Sequence, residues 1–469
     1  MNTLKQKHRF FGNKHSMFGN KHSMDMLHGS LADKLLIFAL PLAITGILQQ
    51  LFNSADVAVV GRFVGSEAMA AVGSNAPVIG LLVNLFIGVS LGANVVISRC
   101  TGQGDVRAVN RAVHTAILTA LISGGIAALI GELAAGPILS SMSVPETIFP
   151  MALAYMRIYM AGMPVILLYN YMSAIFRSQG DTGTPLLCLI IAGISNVALN
   201  LFFVRVMGMS ADGVALATVI SNGISSVLLF IFLLRSKGLI RVRFRDFCID
   251  RVLLKQMLLI GLPAGLQGMV FSLSNISIQS AVNVLGADIM AASSAAFNVE
   301  IFVYYVMNSF GQACTTFIGQ NVGAGQRDRC RRIFRISLLL ALLFTVALSA
   351  LVLLLREPIL SIFNKEEAVI TYGGLRLLYI LLWYPLNMLN ELFSGALRGF
   401  GRSLPPALIS MAGICGTRCI WIRTVFAESP TFNTLMQVYP VSWAVTAVIL
   451  VLVYLLLQKK LYGVRTALS

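Results

Sequence analysis

The sequence predicts an all-α integral membrane protein with twelve transmembrane helices arranged in two pseudo-symmetric six-helix lobes. Three observations support this fold class. The chain is 57% hydrophobic and only 12% charged, whereas soluble domains carry about a quarter charged residues. It contains twelve long apolar runs, and its second half repeats features of the first at an offset near 221 residues.

The apolar runs are the right length for membrane spans. A helix of about 20 residues crosses a hydrocarbon layer of about 30 Å. The predicted spans are roughly 35–58, 76–98, 112–131, 152–175, 186–206, 213–234, 257–285, 292–319, 334–355, 370–397, 404–426 and 435–457. Because their number is even, both termini must lie on the same side of the membrane.

The net charge of +16 is segregated by side. The N-terminal tail and alternate loops hold 27 of the 35 Lys and Arg residues, which is the positive-inside pattern of a multi-pass protein of the plasma or inner membrane with both termini in the cytoplasm. These basic runs set topology and contact anionic membrane lipid. No nucleic-acid partner is predicted from them.

An internal repeat relates the two halves of the chain. Pro41 and Asn53 match Pro263 and Asn275 at an offset of 222, and the later matches fall at 221: Gly102 with Gly323, Gly104 with Gly325, Arg111 with Arg332, Pro164 with Pro385, Arg177 with Arg398, Gly180 with Gly401 and Pro185 with Pro406. Two parallel repeats of six helices are typical of transporters that handle substrate between two lobes. The predicted divisions are a cytoplasmic tail 1–33, an N-lobe 34–234, a cytoplasmic linker 235–256, a C-lobe 257–457 and a cytoplasmic tail 458–469.

The first predicted helix contains two residues that are unfavourable in a transmembrane helix, a proline and an acid. Pro41 removes a backbone donor and is expected to bend the helix, so it is a candidate hinge. Asp56 lies only about 6 Å below Val60 at 1.5 Å per residue, in the outer leaflet. Thr45, Gln49, Asn53 and Asp56 follow at helical spacing and are expected to share one face that lines the lobe interior.

Other polar groups also fall within predicted spans, where they are costly and are functional candidates by default. Asn196 and Asn200 share a face of helix 5, and Thr218 lies on helix 6; these groups either form a site or join helices. Arg376 and Arg418 lie towards the outer ends of their helices, where snorkelling to the interface accounts for them. The candidate cavity-lining residues are Gln49, Asn53, Asn275, Gln279, Glu300, Asn387 and Glu391.

Cysteine and histidine give no sign of a metal or disulfide framework. The seven cysteines are odd in number and scattered, which fits neither a disulfide set nor a CxxC site. Residues 11–17 and 18–24 are a tandem copy that spaces His8, His15 and His22 by seven. This duplication is interpreted as an unstructured tail or a misassigned start, since Met17, Met24 and Met26 could each begin translation. No metal and no cofactor are therefore expected.

Six stretches together resemble the multidrug and toxic compound extrusion (MATE) family, and in particular its bacterial DinF-like branch. They are Leu40-Pro41-x(11)-Asn53-x-x-Asp56, Gly102-Gln-Gly104, Phe176-Arg-Ser-Gln-Gly180-Asp-Thr-Gly-Thr-Pro185, Gly213-Val-Ala-Leu-Ala-Thr218-Val-Ile-Ser221, Gly319-Gln-Asn-Val-Gly323-Ala-Gly325 and Leu397-Arg-Gly399-Phe-Gly401. The resemblance covers residues 34 to 457 and implies two lobes around a cavity that opens alternately to each side.

The resemblance also implies roles for individual residues. Asp56 matches the family's coupling acid, Pro41 its bending proline, and Asn196 and Thr218 the partners on helices 5 and 6. A second acid often found on helix 5 is Asn200 here, so Asp56 as a single proton carrier is favoured over sodium coordination by two carboxylates.

The predicted function is therefore secondary antiport, exporting small cationic or lipophilic organic compounds in exchange for protons, with sodium as the alternative ion. The acid that some members carry on helix 10 aligns with Asn387, so Glu391 does not inherit that role. A lipid-linked saccharide flippase would need a cationic cavity, and the predicted cavity helices offer acids and amides instead. An enzyme is not expected, because His114 is the only histidine past residue 28 and no HExxH motif occurs. The protein is expected to be monomeric.

Overall fold

The computed structural model describes residues 24–142 and 144–462, and every regular element within those ranges is helical. The tandem copy with His8, His15 and His22 lies outside the described residues, apart from Met24. The end at which the first helix begins and the last helix ends is called the inner end of the bundle, and the opposite end the outer end.

The first half of the chain forms seven helices. They are α1 (Ala32–Phe63), α2 (Ser66–Gln103), α3 (Val106–Ser141), α4 (Phe149–Ala161), α5 (Met163–Ser178), α6 (Gly183–Leu201), which continues as a π-helical segment (Phe202–Val206), and α7 (Ala211–Arg235). A short 3₁₀ turn (Phe244–Asp246) lies in the connection to the second half.

The second half forms ten helices, some of them fragments of one span. They are α8 (Arg251–Val284), α9 (Ala287–Gly323), α10 (Arg327–Leu354), α11 (Arg356–Ser361), α12 (Glu367–Gly399), α13 (Leu404–Ser410), α14 (Thr417–Arg423), α15 (Val425–Glu428), α16 (Phe432–Met436) and α17 (Val438–Tyr462), with a π-helical segment (Met411–Gly416) between α13 and α14.

The predicted fold class is confirmed. Eleven helical spans among the described residues are long and apolar enough to cross a membrane, and α4 with α5 makes a twelfth, bent by 46°. The bend was not predicted in the run 152–175. It follows Gly162 and precedes Pro164 in the first turn of α5, where proline starts a helix readily but cannot continue one. The helices of the structure are also longer than the predicted spans; α2, for example, has 38 residues.

The repeat found in the sequence is visible in the backbone. Gly104 and Gly325 end α2 and the α9 region with φ of 72° and 73°, and Gly180 and Gly401 follow α5 and α12 with φ of 83° and 69°. Positive φ is strained for residues with a Cβ atom. The paired glycines are therefore needed at equivalent turns of the two halves.

The inner end of the first helix of each half packs into the apolar core of the other half. Leu35, Phe38 and Leu42 of α1 belong to the apolar core of the second half, together with Phe317 of α9. In the same way Met257 of α8 packs into the core of the first half. Each lobe is thus anchored in the other at the inner end.

Glycines bring the lobes into close contact at this inner end. A Cβ on Gly88 of α2 would lie 2.1 Å from the backbone nitrogen of Gly265 on α8, and a Cβ on Gly92 would lie 2.1 Å from the carbonyl oxygen of Met257. Small residues let membrane helices approach this closely. The lobes are therefore closed together at the inner end.

Replacing Gly88 by valine tests this closure. The new side chain meets backbone rather than a movable side chain, so Gly88→Val should destabilise the inner-closed state by about 1–3 kcal/mol, as overpacking does. We expect a lower melting temperature of the purified protein. Gly73→Val on the same helix is the matched control, because a Cβ there meets nothing within 4 Å. Equal melting temperatures for the two variants would contradict the closure.

Candidate functional site

A cavity of about 1000 Å³ lies between the lobes, beyond the inner closure. Its walls come from α1, α2, α5, α6, α8, α9, α12, α14 and α17, and on α2 they include residues from Ala76 to Leu91, among them Gly88 of the closure. The volume suits a drug-sized ligand. Aromatic side chains form much of the wall, including Phe271, Phe297, Tyr304, Tyr305, Tyr384, Tyr439 and Trp443.

Six of the seven candidate cavity residues line this space: Gln49, Asn275, Gln279, Glu300, Asn387 and Glu391. The seventh, Asn53, does not, and its side chain is exposed on another side of α1. Each step of four residues advances about 40° around a helix. Asn53 is therefore rotated by about 80° from Thr45, which does line the cavity, and the expectation of one continuous polar face was wrong at this position.

Asp56 lies in a separate pocket within the first lobe and does not line the central cavity. The outer half of α1 is held against α6, where the ring of Phe52 covers Gly193. This packing directs Asp56 towards α6 and α7, and the residue is only 7% exposed. Asn196, Asn200 and Thr218, all named from the sequence, surround it.

Neutral donors hold the Asp56 carboxylate. Asn200 Nδ2 donates to Asp56 Oδ1 at 2.5 Å, and Thr218 Oγ1 lies 3.1 Å from Asp56 Oδ2. Asn196 Nδ2 donates to Thr218 Oγ1 at 3.4 Å, and Asn200 Nδ2 also approaches Asn196 Oδ1 at 3.3 Å. No Lys or Arg in the described part of the chain lies within 4 Å of this carboxylate.

The Thr218 hydroxyl can serve either protonation state of Asp56. Its oxygen lies 2.9 Å from the carbonyl of Val214 as well as 3.1 Å from Asp56, and it has one proton to donate. When Asp56 is ionised, Thr218 can donate to the carboxylate. When Asp56 is protonated, the carboxyl can donate to Thr218, which then donates to Val214. Both states keep their hydrogen bonds.

Pro41 lies within an unbroken α1. The Thr45 hydroxyl donates to the Pro41 carbonyl at 2.8 Å. Pro41 itself has no backbone N–H group, so the helical hydrogen bond to the carbonyl one turn earlier is missing. Just beyond it, Gly46 contacts the ring of Tyr305 on α9. Pro41 therefore lies near the point where α1 leaves the core of the second lobe for that of the first.

Arg376 and Arg418 do not snorkel, so that expectation was wrong. Arg376 is 5% exposed and binds Glu300 through two hydrogen bonds of 2.8 and 3.2 Å. Arg418 is 3% exposed, donates to Asn275 Oδ1 at 3.0 Å, and lies 4.7 Å from the centre of the Tyr439 ring. The position of an arginine along its helix could not predict this burial. Each guanidinium group can either reach the membrane surface or bind a buried partner on another helix, and the sequence does not show that partner.

Two more arginines reach the cavity near its closed end. Arg177 of α5 donates to Gln312 Oε1 at 3.0 Å, and Arg398 of α12 donates to Gln267 Oε1 at 2.8 Å. They are equivalent in the repeat and belong to the basic residues whose distribution predicts only a role in topology. The cavity thus carries four arginines and two glutamates, Glu300 and Glu391, and the expectation of acids and amides only was wrong.

The segment before α1 seals the inner end. The backbone nitrogen of Met24 donates to the Gln179 carbonyl at 3.1 Å, and Asn321 Nδ2 donates to the Met26 carbonyl at 3.1 Å. Gln320 Nε2 also crosses between lobes, donating to the Ser178 carbonyl at 2.7 Å. These contacts involve the Arg177-Ser-Gln-Gly180 and Gln320-Asn-Val-Gly323 stretches, which explains the polarity of these stretches.

Two six-helix lobes closed at one end around a central cavity form the architecture of a membrane transporter. The sequence model of the MatE family matches residues 41–202 and 263–420, once in each half of the repeat. The chain belongs to the MATE family.

Individual relatives agree with this assignment. The chain is 30% identical to the probable multidrug resistance protein YoeA of Bacillus subtilis, over 90% of this chain and 93% of that protein. It is 26% identical to a protein of Shewanella oneidensis named FAD transporter, over 82% and 86%. A solved structure, the outward-facing conformation of a multidrug resistance MATE family transporter, superimposes with a TM-score of 0.86 at 20% identity, covering 95% of this chain and all of that one.

Removing Glu300 should strongly destabilise the second lobe. Glu300→Gln leaves Arg376 buried without its counter-charge, a change that costs about 3–5 kcal/mol. The double variant Glu300→Gln/Arg376→Gln should recover much of this loss in a thermal unfolding assay. Glu132→Gln is the control: its pair with Arg157 is about half exposed, at 54% and 50%, and should contribute less than about 1 kcal/mol. Equal losses for Glu300→Gln and Glu132→Gln would contradict the buried pair.

Proposed function

We propose that the protein is a proton-coupled antiporter that exports organic compounds by alternating access, with Asp56 as the coupling residue. The observation that carries this proposal is the pocket of Asp56, which is buried, outside the cavity and held by neutral groups only. A carboxylate without a cationic partner is free to exchange a proton as the lobes move. Asn196, Asn200 and Thr218 are its proposed partners.

The pocket favours a proton over sodium. Thr218 can satisfy Asp56 in both protonation states, as a proton site requires. A sodium ion would find a single carboxylate, and no cluster of three or more acidic, histidine or cysteine residues suited to a metal occurs among the described residues. Sodium remains the alternative coupling ion, and no other cofactor is proposed.

We propose that α1 transmits the protonation state of Asp56 to the lobes. Its inner half packs in the second lobe and its outer half in the first, so a bend near Pro41 changes their relative orientation. The inner closure corresponds to an outward-open state if the inner end faces the cytoplasm, as the basic loops indicate. The proposed lobes are 34–234 and 257–457, joined by the linker 235–256, in a monomer with cytoplasmic tails.

One proton is energetically sufficient for such a cycle. An elementary charge that moves down a potential of 100 mV releases about 2.3 kcal/mol. At about 1.4 kcal/mol for each factor of ten, this sustains roughly a fifty-fold concentration gradient of an uncharged substrate. A second coupling acid is not needed.

The expected substrate class, cationic or lipophilic compounds, needs revision. Apolar and aromatic walls suit a lipophilic body, but the positive charges in the cavity exceed the negative ones. This excess also favours a second candidate function, the translocation of a lipid-linked pyrophosphate saccharide. The family match and the relative named FAD transporter support export of a soluble organic compound instead.

Replacing Asp56 by asparagine tests the coupling. Asn has the same shape, can accept from Asn200 through its Oδ1 and can donate from its Nδ2 to Thr218, as a protonated Asp56 would, so Asp56→Asn should fold and insert normally. In proteoliposomes with a trapped pH indicator, the wild type should move a fluorescent organic substrate against its gradient with a matching proton flux. The variant should lose both.

Glu67→Gln is the matched control, because Glu67 is an exposed acid at the outer end of the same lobe. It should retain full coupled transport. Gradient-driven transport by Asp56→Asn at the wild-type rate would contradict the proposal, and transport driven by a sodium gradient at constant pH would replace the proton by sodium.

A further inference from the structure

Three arginines of the cavity form no salt bridge with a carboxylate among the described residues, although Arg398 and Glu391 attract each other over a longer distance. Arg177, Arg398 and Arg418 each donate to a neutral side-chain amide, namely Gln312, Gln267 and Asn275. Among the described residues, no acid lies within 4 Å of any of them. Glu300, one of the two acids of the cavity, is already bound by Arg376.

Unpaired guanidinium groups inside a membrane protein are costly unless they have a function. Arg418 is the clearest case, since it is 3% exposed and its Nε atom has no hydrogen-bond partner. The Nε atoms of Arg177 and Arg398 also lack partners. Replacing these arginines by neutral residues would remove the cost, so their presence points to a ligand of opposite charge.

The repeat arranges two of these groups symmetrically. Arg177 and Arg398 are equivalent residues at the inner ends of α5 and α12, and both line the closed end of the cavity. A pseudo-twofold axis between the lobes relates them, so their charges act on the same central volume. Guanidinium groups bind carboxylate and phosphate oxygens with two parallel hydrogen bonds.

Aromatic side chains complete the site. Arg418 and Arg376 lie 4.7 and 5.8 Å from the centre of the Tyr439 ring, and this ring lines the cavity together with Trp443 and Tyr384. Such walls favour flat ring systems as well as positive charge. The cavity therefore combines stacking surfaces with fixed cations.

We propose that the central cavity binds aromatic organic anions, with the carboxylate or phosphate of the ligand held by Arg177 and Arg418 and the charge of Arg398 adding to the attraction. This assignment rests on the proposed export function and specifies its substrate class. Glu391 borders the same volume, where Asn308 Nδ2 lies 3.5 Å from its Oε2 atom. Its carboxyl would oppose an anion placed beside α12, which directs the acidic group of the ligand towards Arg177 and Arg418.

Two dyes with the same ring body and opposite charge test the proposal: anionic fluorescein and the cationic methyl ester of tetramethylrhodamine. Fluorescence polarisation with purified protein, without any ion gradient, measures binding independently of coupling. We expect at least tenfold tighter binding of fluorescein. Arg418→Gln and Arg177→Gln should each weaken fluorescein binding by tenfold or more and leave the cationic dye unaffected or bound more tightly.

Arg157→Gln is the control, because Arg157 is half-exposed and pairs with Glu132 outside the cavity. It should bind both dyes as the wild type does. Tighter binding of the cationic dye by the wild type, or unchanged fluorescein binding by Arg418→Gln, would overturn the proposal. Displacement of fluorescein by a polyprenyl pyrophosphate in vesicles, but not by soluble aromatic anions, would overturn the soluble class in favour of a lipid-linked one.

Thermal unfolding separates a binding role for Arg418 from a structural one. If Arg418 awaits a ligand, the unliganded Arg418→Gln variant should melt at or above the wild-type temperature, and only the wild type should be stabilised by fluorescein. A large loss of stability without ligand, with fluorescein binding retained by the folded fraction, would show a structural role. Loss of coupled transport in Asp56→Asn leaves this result unaffected, so the two proposals fail separately.

Discussion

The energetic cost of a charge in the membrane interior organises this protein. A charged side chain at the centre of a span costs about 2.5–3.5 kcal/mol on insertion scales, so each one present must be compensated or used. Glu300 and Arg376 compensate each other. Asp56 is held by amides and a hydroxyl, while Arg177, Arg398 and Arg418 face a cavity. These three solutions correspond to a structural pair, a proposed coupling site and a proposed substrate site.

The two lobes share a backbone and differ in charge. The repeat aligns Asp56 with Ile278, Arg376 with Tyr155 and Glu300 with Ile79. All three counterparts are buried in the cores of their lobes. The first lobe has thus kept an isolated acid and the second a buried ion pair with an additional arginine. A common frame therefore serves two tasks, which we assign to coupling in the first lobe and to substrate binding in the second.

The sequence predicted most of the fold because membrane spans and repeats leave strong local signals. Twelve apolar runs, repeated prolines and glycines, and the position of basic loops are readable without three-dimensional contacts. The group around Asp56 was also predicted, because Asn196 and Thr218 match the partners on helices 5 and 6 that the family resemblance implies. The bend between α4 and α5 was missed, since an uninterrupted apolar run does not show how a glycine and a proline divide it.

The charge of the cavity could not be predicted in the same way. The roles of Arg376 and Arg418 depend on Glu300, Asn275 and Tyr439, which lie on other helices and far away in sequence. Arg177 and Arg398 end their helices among basic loops, where a topology signal and a ligand contact look alike. The prediction that Asn53 lines the cavity was wrong for a local reason, because the rotation around the helix accumulates over successive four-residue steps.

The central claim is that protonation of Asp56 controls the relative position of the lobes. Glu67 and Asp288 are exposed and equivalent positions at the outer ends of α2 and α9. Spin labels on Glu67→Cys and Asp288→Cys would report the width of the outer opening by pulsed electron paramagnetic resonance. The exposed Cys248 and Cys419 are first replaced so that they take no label. The label distance should change between acidic and neutral pH in the otherwise native protein and become independent of pH when Asp56→Asn is added. The same pH-dependent change with and without Asp56 would contradict the account.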